Sequence, residues 1–516
     1  MTTPNPPTGA PAAGAAPDPR RWWILATIGL AQLMVILDAT IVNIALPSAQ
    51  RDLHFSTVDR QWVVTAYALA FGSLLLLGGK VSSLLGRKVT FIAGLIGFAV
   101  ASAVGGAATS FGMLVAARAL QGAFGAFLAP SALSLLTTTF SGSRDRGRAF
   151  GVFGAIAGSG AALGLLLGGL LTEYLSWRWC LYVNLVFAAV AVTGAAILLS
   201  RHPRTHRPRL DVPGVLAVSA GMFCIVFGFS NAALHSWHAP STWGFLAAGV
   251  VLLTIFVWWE SRAPEPLLPL RIVLDRNRGG AYLSILIAGI GMFGIFLFLT
   301  FYMQQTKGYS PVMAGVAFLP MVAMIAATAN LSNVVLLPRF GPKPLVICGM
   351  LLAGTGVALL TRIGVHTSYA STVLPALLVD GAGLGLVIAP SINTGTYGVG
   401  IEDAGVASAS VNTGQQLGGS IGTSLLNTIA AGATTAFLTA HVSPRTLVHG
   451  RPSPALTSQA LIHGYITAFW WAAAIFACGA AVATVLFRWG PLASQQPPGD
   501  AAVPAEGAAP SRAIPG

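Results

Sequence analysis

Long apolar runs, each ended by a short polar or basic cluster, recur along nearly the whole chain. A bilayer core of ~30 Å is crossed by ~20 apolar residues rising ~1.5 Å each. Fourteen runs reach that length: 23–46, 61–80, 89–109, 112–138, 149–172, 179–199, 212–232, 241–259, 280–303, 311–336, 344–362, 371–393, 405–432 and 464–487. None alternates with the short period of a membrane β-strand, which excludes a barrel. Residues 1–19 and 491–516 are rich in Pro, Ala and Gly and carry no apolar core, so they are expected as disordered tails. The pattern predicts an all-α integral membrane protein with fourteen transmembrane helices.

Composition narrows the class. Asp, Glu, Lys and Arg make up 8% of the 516 residues, against about 25% in soluble domains. A soluble globule could not cover its surface with so few charges. The formal charge of +13 sits in short clusters between spans, with no basic helix interleaved with aromatics, so nucleic acid is excluded as a partner. Four cysteines, Cys180, Cys224, Cys348 and Cys478, lie in apolar runs without a CxxC pair. They read as small hydrophobes packed between helices, with neither a metal site nor a disulfide framework.

The basic clusters set the orientation. With an even number of spans both termini share one side. Of 28 Lys and Arg residues, 20 fall on that side, 7 on the other, and Arg118 lies inside a span. The positive-inside rule then places both termini in the cytoplasm of a plasma-membrane protein. Arg20-Arg21 ahead of a full-length span reads as a signal-anchor helix. The tryptophans at 22–23, 177, 179, 258–259 and 470–471 fall near span ends, as interfacial anchors do.

The chain also repeats itself. Gly125-Ala-Phe-Leu-Ala-Pro-Ser in span 4 recurs as Gly385-Leu-Val-Ile-Ala-Pro-Ser in span 12, and the turn Gly86-Arg-Lys recurs as Gly341-Pro-Lys. Spans 1–6 and 9–14 therefore read as two copies of one six-helix unit, with spans 7 and 8 inserted. The expected organisation is a tail (1–19), a six-helix bundle (20–200), a linker carrying two spans (201–278), a second six-helix bundle (279–490) and a tail (491–516). Two parallel repeats around a midplane site are a secondary-transporter design.

Several segments resemble the major facilitator superfamily, in its fourteen-span drug:proton antiporter branch, over roughly residues 20–490. Leu37-Asp-Ala-Thr-Ile-Val-Asn-Ile-Ala-Leu-Pro47 is similar to that branch's span-1 signature. Arg118-Ala-Leu-Gln-Gly122 resembles its span-4 motif, and Trp177-Arg-Trp179 with Val183-Asn184 its span-6 start. Leu210-Asp-Val-Pro-Gly214 resembles the start of the inserted span 7, and Tyr302-Met-Gln-Gln305 with Gly308-Tyr-Ser-Pro311 the link between spans 9 and 10. Three positions depart from the pattern. Ser83 stands where the span 2–3 loop motif has Asp, Leu165 where the span-5 antiporter motif has Pro, and Gln415 where many relatives have Arg. The resemblance implies export of drug-like or antibiotic molecules by proton antiport with alternating access. It needs no cofactor beyond the proton gradient. The motifs mark Gly79, Gly86, Arg87, Lys88, Gly164 and Gly168 as conformational-switch candidates.

Charge scarcity picks out the coupling candidates. Only Asp38, Arg118 and Asp380 lie deep within spans, where an ionisable side chain costs roughly 2.5–3.5 kcal/mol. Asp38 and Arg118 lie ~12 and ~9 Å from the same surface, so an ion pair is plausible, either as a proton- or substrate-sensitive switch or as a structural lock. Asp380 sits near the middle of span 12 as a proton or cation-substrate site, or as a side chain bonded to a neighbouring helix. Asn43, Gln121, Asn184, Gln304, Asn393, Asn412, Gln415 and Gln416 are candidates for the cavity wall. Ser408, Asn412 and Gln415 or Gln416 share one stripe of span 13, whereas Asn43 sits ~140° around span 1 from Asp38.

Other classes find no support. HExxH, SxxK and Walker motifs are absent from the sequence. The GxGxxG match at 289–294 lies inside an apolar span and reads as helix packing. An enzyme is therefore not expected. The closest alternative is a dedicated exporter of one endogenous metabolite or antibiotic, with an importer behind it. The expected partners are hydrophobic or cationic small molecules and the lipid bilayer, and the expected state is a monomer.

Overall fold

A computed structural model describes residues 20–56, 59–140, 143–200, 211–234, 237, 239–263, 266–399, 404–442, 447–448 and 451–492. Inside a bilayer every backbone polar group must be satisfied within its own segment, and the apolar runs accordingly form helices. The helices are α1 (Arg21–Leu53), α2 (Gln61–Leu85), α3 (Arg87–Gly106), α4 (Phe111–Thr139), α5 (Ser143–Tyr174), α6 (Trp179–Leu198), α7 (Val212–Leu234) and α8 (Pro240–Glu260). A short α9 (Leu270–Val273) leads into α10 (Arg276–Phe301), which ends in a π-helical turn, then α11 (Pro311–Leu331) and α12 (Leu337–Phe340). The chain continues through α13 (Pro342–Leu360), α14 (Leu374–Thr396), α15 (Ala404–His441) and α16 (Pro454–Leu486). A two-residue β-pair, Leu447–Val448 with Arg451–Pro452, is the only sheet among the described residues.

Among the described residues, twelve helical segments are long and apolar enough to cross a membrane. α2 and α5 carry shorter apolar stretches, Gln61–Leu75 and Leu163–Tyr174, inside helices of 25 and 32 residues. Ser110, Asp275, Ser310 and Ser453 cap α4, α10, α11 and α16 by accepting a backbone N–H three residues on. The turns between α2 and α3 and between α12 and α13 both pivot on a left-handed glycine, Gly86 (φ 95°) and Gly341 (φ 76°). These are the two turns that the sequence repeat aligns. Arg87 is exposed, whereas Lys88 donates to the carbonyls of Ala196 (2.8 Å) and Leu199 (2.5 Å) and so caps α6.

α1–α6 pack on one another, as do α10–α16, and α7 and α8 pair with each other while α7 rests on α2 and α15. Small residues allow the close crossings. Gly160, Gly164 and Gly168 of α5 face Ile36, Thr40 and Ile41 of α1, and a Cβ on Gly164 would reach the Leu37 carbonyl at 3.1 Å and collide with the Thr40 hydroxyl. Gly79 sits over Pro130. Replacing Gly164 by Val is expected to lower the thermal midpoint in detergent by the equivalent of about 1–3 kcal/mol, the usual range for overpacking. An unchanged melting curve would show that α1 and α5 need not approach this closely.

The two bundles are hydrogen-bonded to each other at the end opposite the termini. Thr65 of α2 meets Thr423 (3.0 Å) and Ser424 (3.3 Å) of α15, and its carbonyl accepts from Ser420. Gln304 donates to the Ile44 carbonyl (3.0 Å), and the Val312 N–H donates to Glu173 (3.0 Å). Gly315 of α11 lies against the Leu165 carbonyl of α5. At the terminus-bearing end Thr138 of α4 and Asn393 and Thr396 of α14 are exposed.

Several expectations need adjustment. Trp177 is buried rather than interfacial, because its indole N–H donates to Asp52, which also pairs with Arg178 (3.0 Å). Cys348 and Cys478 are exposed instead of packed between helices; an apolar side chain on a bilayer-facing surface needs no protein cover. Arg60, placed by its position in a loop between spans, is 1% exposed. Arg201, Arg204, Arg207, Arg209 and almost all of both tails lie outside the described residues.

Candidate proton-coupling and transport site

α1 brings Asp38 to the centre of the first bundle, where α3, α4 and α6 surround it. Asp38 Oδ2 accepts from Arg118 Nη1 at 2.5 Å, and both side chains are buried. Asp38 Oδ1 accepts from Gln121 Nε2 (3.0 Å) and Asn184 Nδ2 (2.7 Å). Gln121 and Asn184 both donate to Ser102 Oγ of α3, at 2.6 and 3.3 Å. The carboxylate is thus held by one cation and two amides, which offsets much of the cost of burying it.

Arg118 reaches further. Its Nη1 also donates to Gln121 Oε1 (2.9 Å), and its Nε donates to the Val63 carbonyl of α2 (3.1 Å). The guanidinium lies over the Tyr67 ring at 4.4 Å. It therefore links the Asp38 carboxylate on α1 to the backbone of α2, two residues from the Thr65 contact that ties the bundles together. Beside it is a small apolar cavity of about 10 Å³, lined by Val42, Leu46, Val63, Leu114, Trp177 and Cys180 among others, with room for about one water.

Gln121 and Asn184, expected on a cavity wall, are buried in this cluster. Gln121 lies three residues after Arg118 and so shares its helix face. Asn43 does not join Asp38; it is buried and bonds its own helix at the Ala39 carbonyl. Asn393 is exposed, while Asn412, Gln415 and Gln416 are half-buried, with Gln416 facing Gly72 of α2. Their stripe on α15 continues at helical spacing through Ser420, Ser424 and Asn427, the residues that meet α2. That continuation was present in the sequence. Ser102 and Tyr67 carried no such signal, because a lone Ser and a lone Tyr in apolar helices read as ordinary packing.

Asp380 is different. It is buried on α14 against Gly356 of α13, and neither carboxyl oxygen has a partner among the described residues. No bond to a neighbouring helix explains it. It lies inside the second bundle, apart from Asp38.

Two helical bundles tied together at one end, each with a buried carboxyl in its interior, match the layout of a secondary transporter. The family model of the Major Facilitator Superfamily matches residues 28–423. The chain belongs to that superfamily and is a transporter, not an enzyme. It is 48% identical to the puromycin resistance protein of Streptomyces alboniger over 93% of this chain and 92% of the relative. It is 35% identical to the tetracenomycin C resistance and export protein of Streptomyces glaucescens, covering 82% and 78%. With the cephamycin export protein of Amycolatopsis lactamdurans it shares 38% identity, covering 78% and 84%. A bacterial homologue of the human lysosomal transporter Spinster has the same fold, with a TM-score of 0.62 at 17% identity over 92% of this chain and 98% of that one.

Proposed function

We propose that this protein exports antibiotic-like small molecules from the cytoplasm by proton antiport. In this reading α2 and α5 complete fourteen crossings, both termini are cytoplasmic, and the state described here is closed at the outer end. The relatives named above support export of antibiotics. In this reading the proton gradient is the energy source.

One observation carries the coupling: Arg118 bonds the Asp38 carboxylate and the Val63 carbonyl at once. Ionised Asp38 holds Arg118. Once protonated it loses its charge pairing, and Arg118 is left to the α2 backbone, the Gln121 amide and the Tyr67 ring. A proton on Asp38 thereby changes the forces on α2, the helix whose Thr65 closes the outer end. A ligand shifts a conformational equilibrium only through such a difference in contacts. Asp380 makes no comparable contact, so its protonation is not relayed to another side chain.

The test is a proteoliposome assay with an imposed pH gradient, using puromycin and tetracenomycin C as cargo. Uptake that neither requires nor dissipates the gradient would overturn antiport. Asp380→Leu is expected to retain gradient-driven transport and to raise the thermal midpoint, because it removes an unsatisfied buried polar group worth about 1–3 kcal/mol. A stable Asp380→Leu protein without coupled transport would make Asp380 a second coupling carboxyl.

A further inference from the structure

Arg60 stands at the start of α2, yet the side-chain contacts found for it among the described residues all lie in the second bundle. Its Nε donates to Asn427 Oδ1 of α15 at 3.2 Å. Its guanidinium carbon lies 4.1 Å from the Phe301 ring and 5.7 Å from the Phe298 ring of α10, and 5.9 Å from the Tyr465 ring of α16. No carboxylate pairs with it among the described residues. The other buried basic side chains among the described residues are Arg118, which has Asp38, and Lys343, which lies over Trp489 at the terminus-bearing end.

The polar groups around Arg60 are incompletely satisfied. Arg60 Nη1, both polar atoms of Gln61 and Tyr465 Oη are buried with no hydrogen-bond partner among the described residues. Stripping water from a guanidinium without supplying an anion is costly, so a buried, unpaired guanidinium points to function. Alternating access requires the bundles to part at this end. Arg60 and its aromatic pocket then face each other across the path that cargo takes outward. The pocket offers ring faces, and the guanidinium, Gln61 and Tyr465 offer donors suited to an acidic oxygen. A cation on the same path meets an unpaired like charge.

We infer that Arg60, with Gln61 and the Phe298–Phe301–Tyr465 pocket, is a recognition site in the outer half of the path for aromatic molecules bearing an anionic oxygen. It selects them over aromatic cations. This rests on the export reading above and narrows its cargo from the hydrophobic or cationic molecules expected from the sequence.

The experiment compares carboxyfluorescein with rhodamine 6G, an anionic and a cationic dye of related shape, in proteoliposomes of the full chain. Wild type is expected to favour carboxyfluorescein. Arg60→Gln is expected to slow carboxyfluorescein export about tenfold, equal to ~1.4 kcal/mol, and to leave rhodamine 6G export unchanged or faster. Arg60→Lys retains the charge but not the planar donor fork, and is expected to fall between the two. Equal loss of both dyes in a monodisperse Arg60→Gln protein would reduce Arg60 to a gate contact and overturn the proposal, as would unchanged carboxyfluorescein export. Failure of wild type to carry carboxyfluorescein would overturn it too. Carboxyfluorescein export that depends on Arg60 but ignores the pH gradient would uphold this site while defeating proton antiport.

Discussion

Asp38→Asn is expected to abolish coupled export while leaving a folded protein. The amide has nearly the shape of the carboxyl, and its oxygen can still accept from Gln121 and Asn184, which donate to Asp38 at 3.0 and 2.7 Å. Arg118 keeps the Val63 carbonyl, the Gln121 oxygen and the Tyr67 ring. What the variant cannot do is exchange a proton. It is fixed as a mimic of the protonated state, so a pH gradient has nothing to act on at this position. Gradient-driven export should fall to the level of protein-free vesicles. A second readout separates coupling from simple loss of activity. If proton and cargo binding are linked, cargo added to the detergent-solubilised wild type releases protons, by the reciprocity that linkage demands. Asp38→Asn should release none. Proton release of wild-type size from that variant would remove Asp38 from the mechanism.

The sequence made the membrane architecture legible because hydrocarbon leaves a chain few options. An apolar run of about 20 residues has to be a helix, and the rarity of charge made Asp38 and Arg118 conspicuous. Estimated depth along α1 and α4 was enough to suggest that they meet. The cluster around them was harder to read. Ser102 and Tyr67 are single polar groups on apolar helices, and only the crossing of α2 and α3 with α4 gives them a role. Gln121 and Asn184 were visible as polar residues, but a helix face can point to a cavity or to another side chain, and periodicity does not distinguish these. The burial of Arg60 was hidden for a related reason. A basic residue beside a loop follows the positive-inside logic of an aqueous side chain, whereas here α10, α15 and α16 close over it. The contacts of α15 at the end opposite the termini were legible in part, since the stripe through Asn412 and Gln416 continues to Asn427.

Arg118→Met should be the most destabilising substitution in the first bundle. It deletes the ion pair with Asp38, the bonds to Gln121 and the Val63 carbonyl, and the stack on Tyr67. Asp38 then keeps two amide donors but no cation. Removing one member of a buried pair costs about 3–5 kcal/mol, because the survivor remains desolvated. The expected result is a sharp fall in monodisperse yield and in the thermal midpoint. The double variant Asp38→Asn/Arg118→Met discards both charges, so most of that loss should return, while export stays uncoupled. The three variants and the wild type form a cycle in which the coupling term is read directly. If the double variant is as unstable as the sum of the single variants, the ion pair is not the energetic unit, and the amides and Ser102 carry the site. If Asp38→Asn alone is as unstable as Arg118→Met, the pair is a structural lock on α1 and α4 first and a proton switch second. The coupling reading requires the asymmetric outcome: loss of Asp38's charge tolerated by the fold because Arg118 has other acceptors, and loss of Arg118 not tolerated. That asymmetry is what lets a protein pass through a protonated Asp38 in every cycle without coming apart.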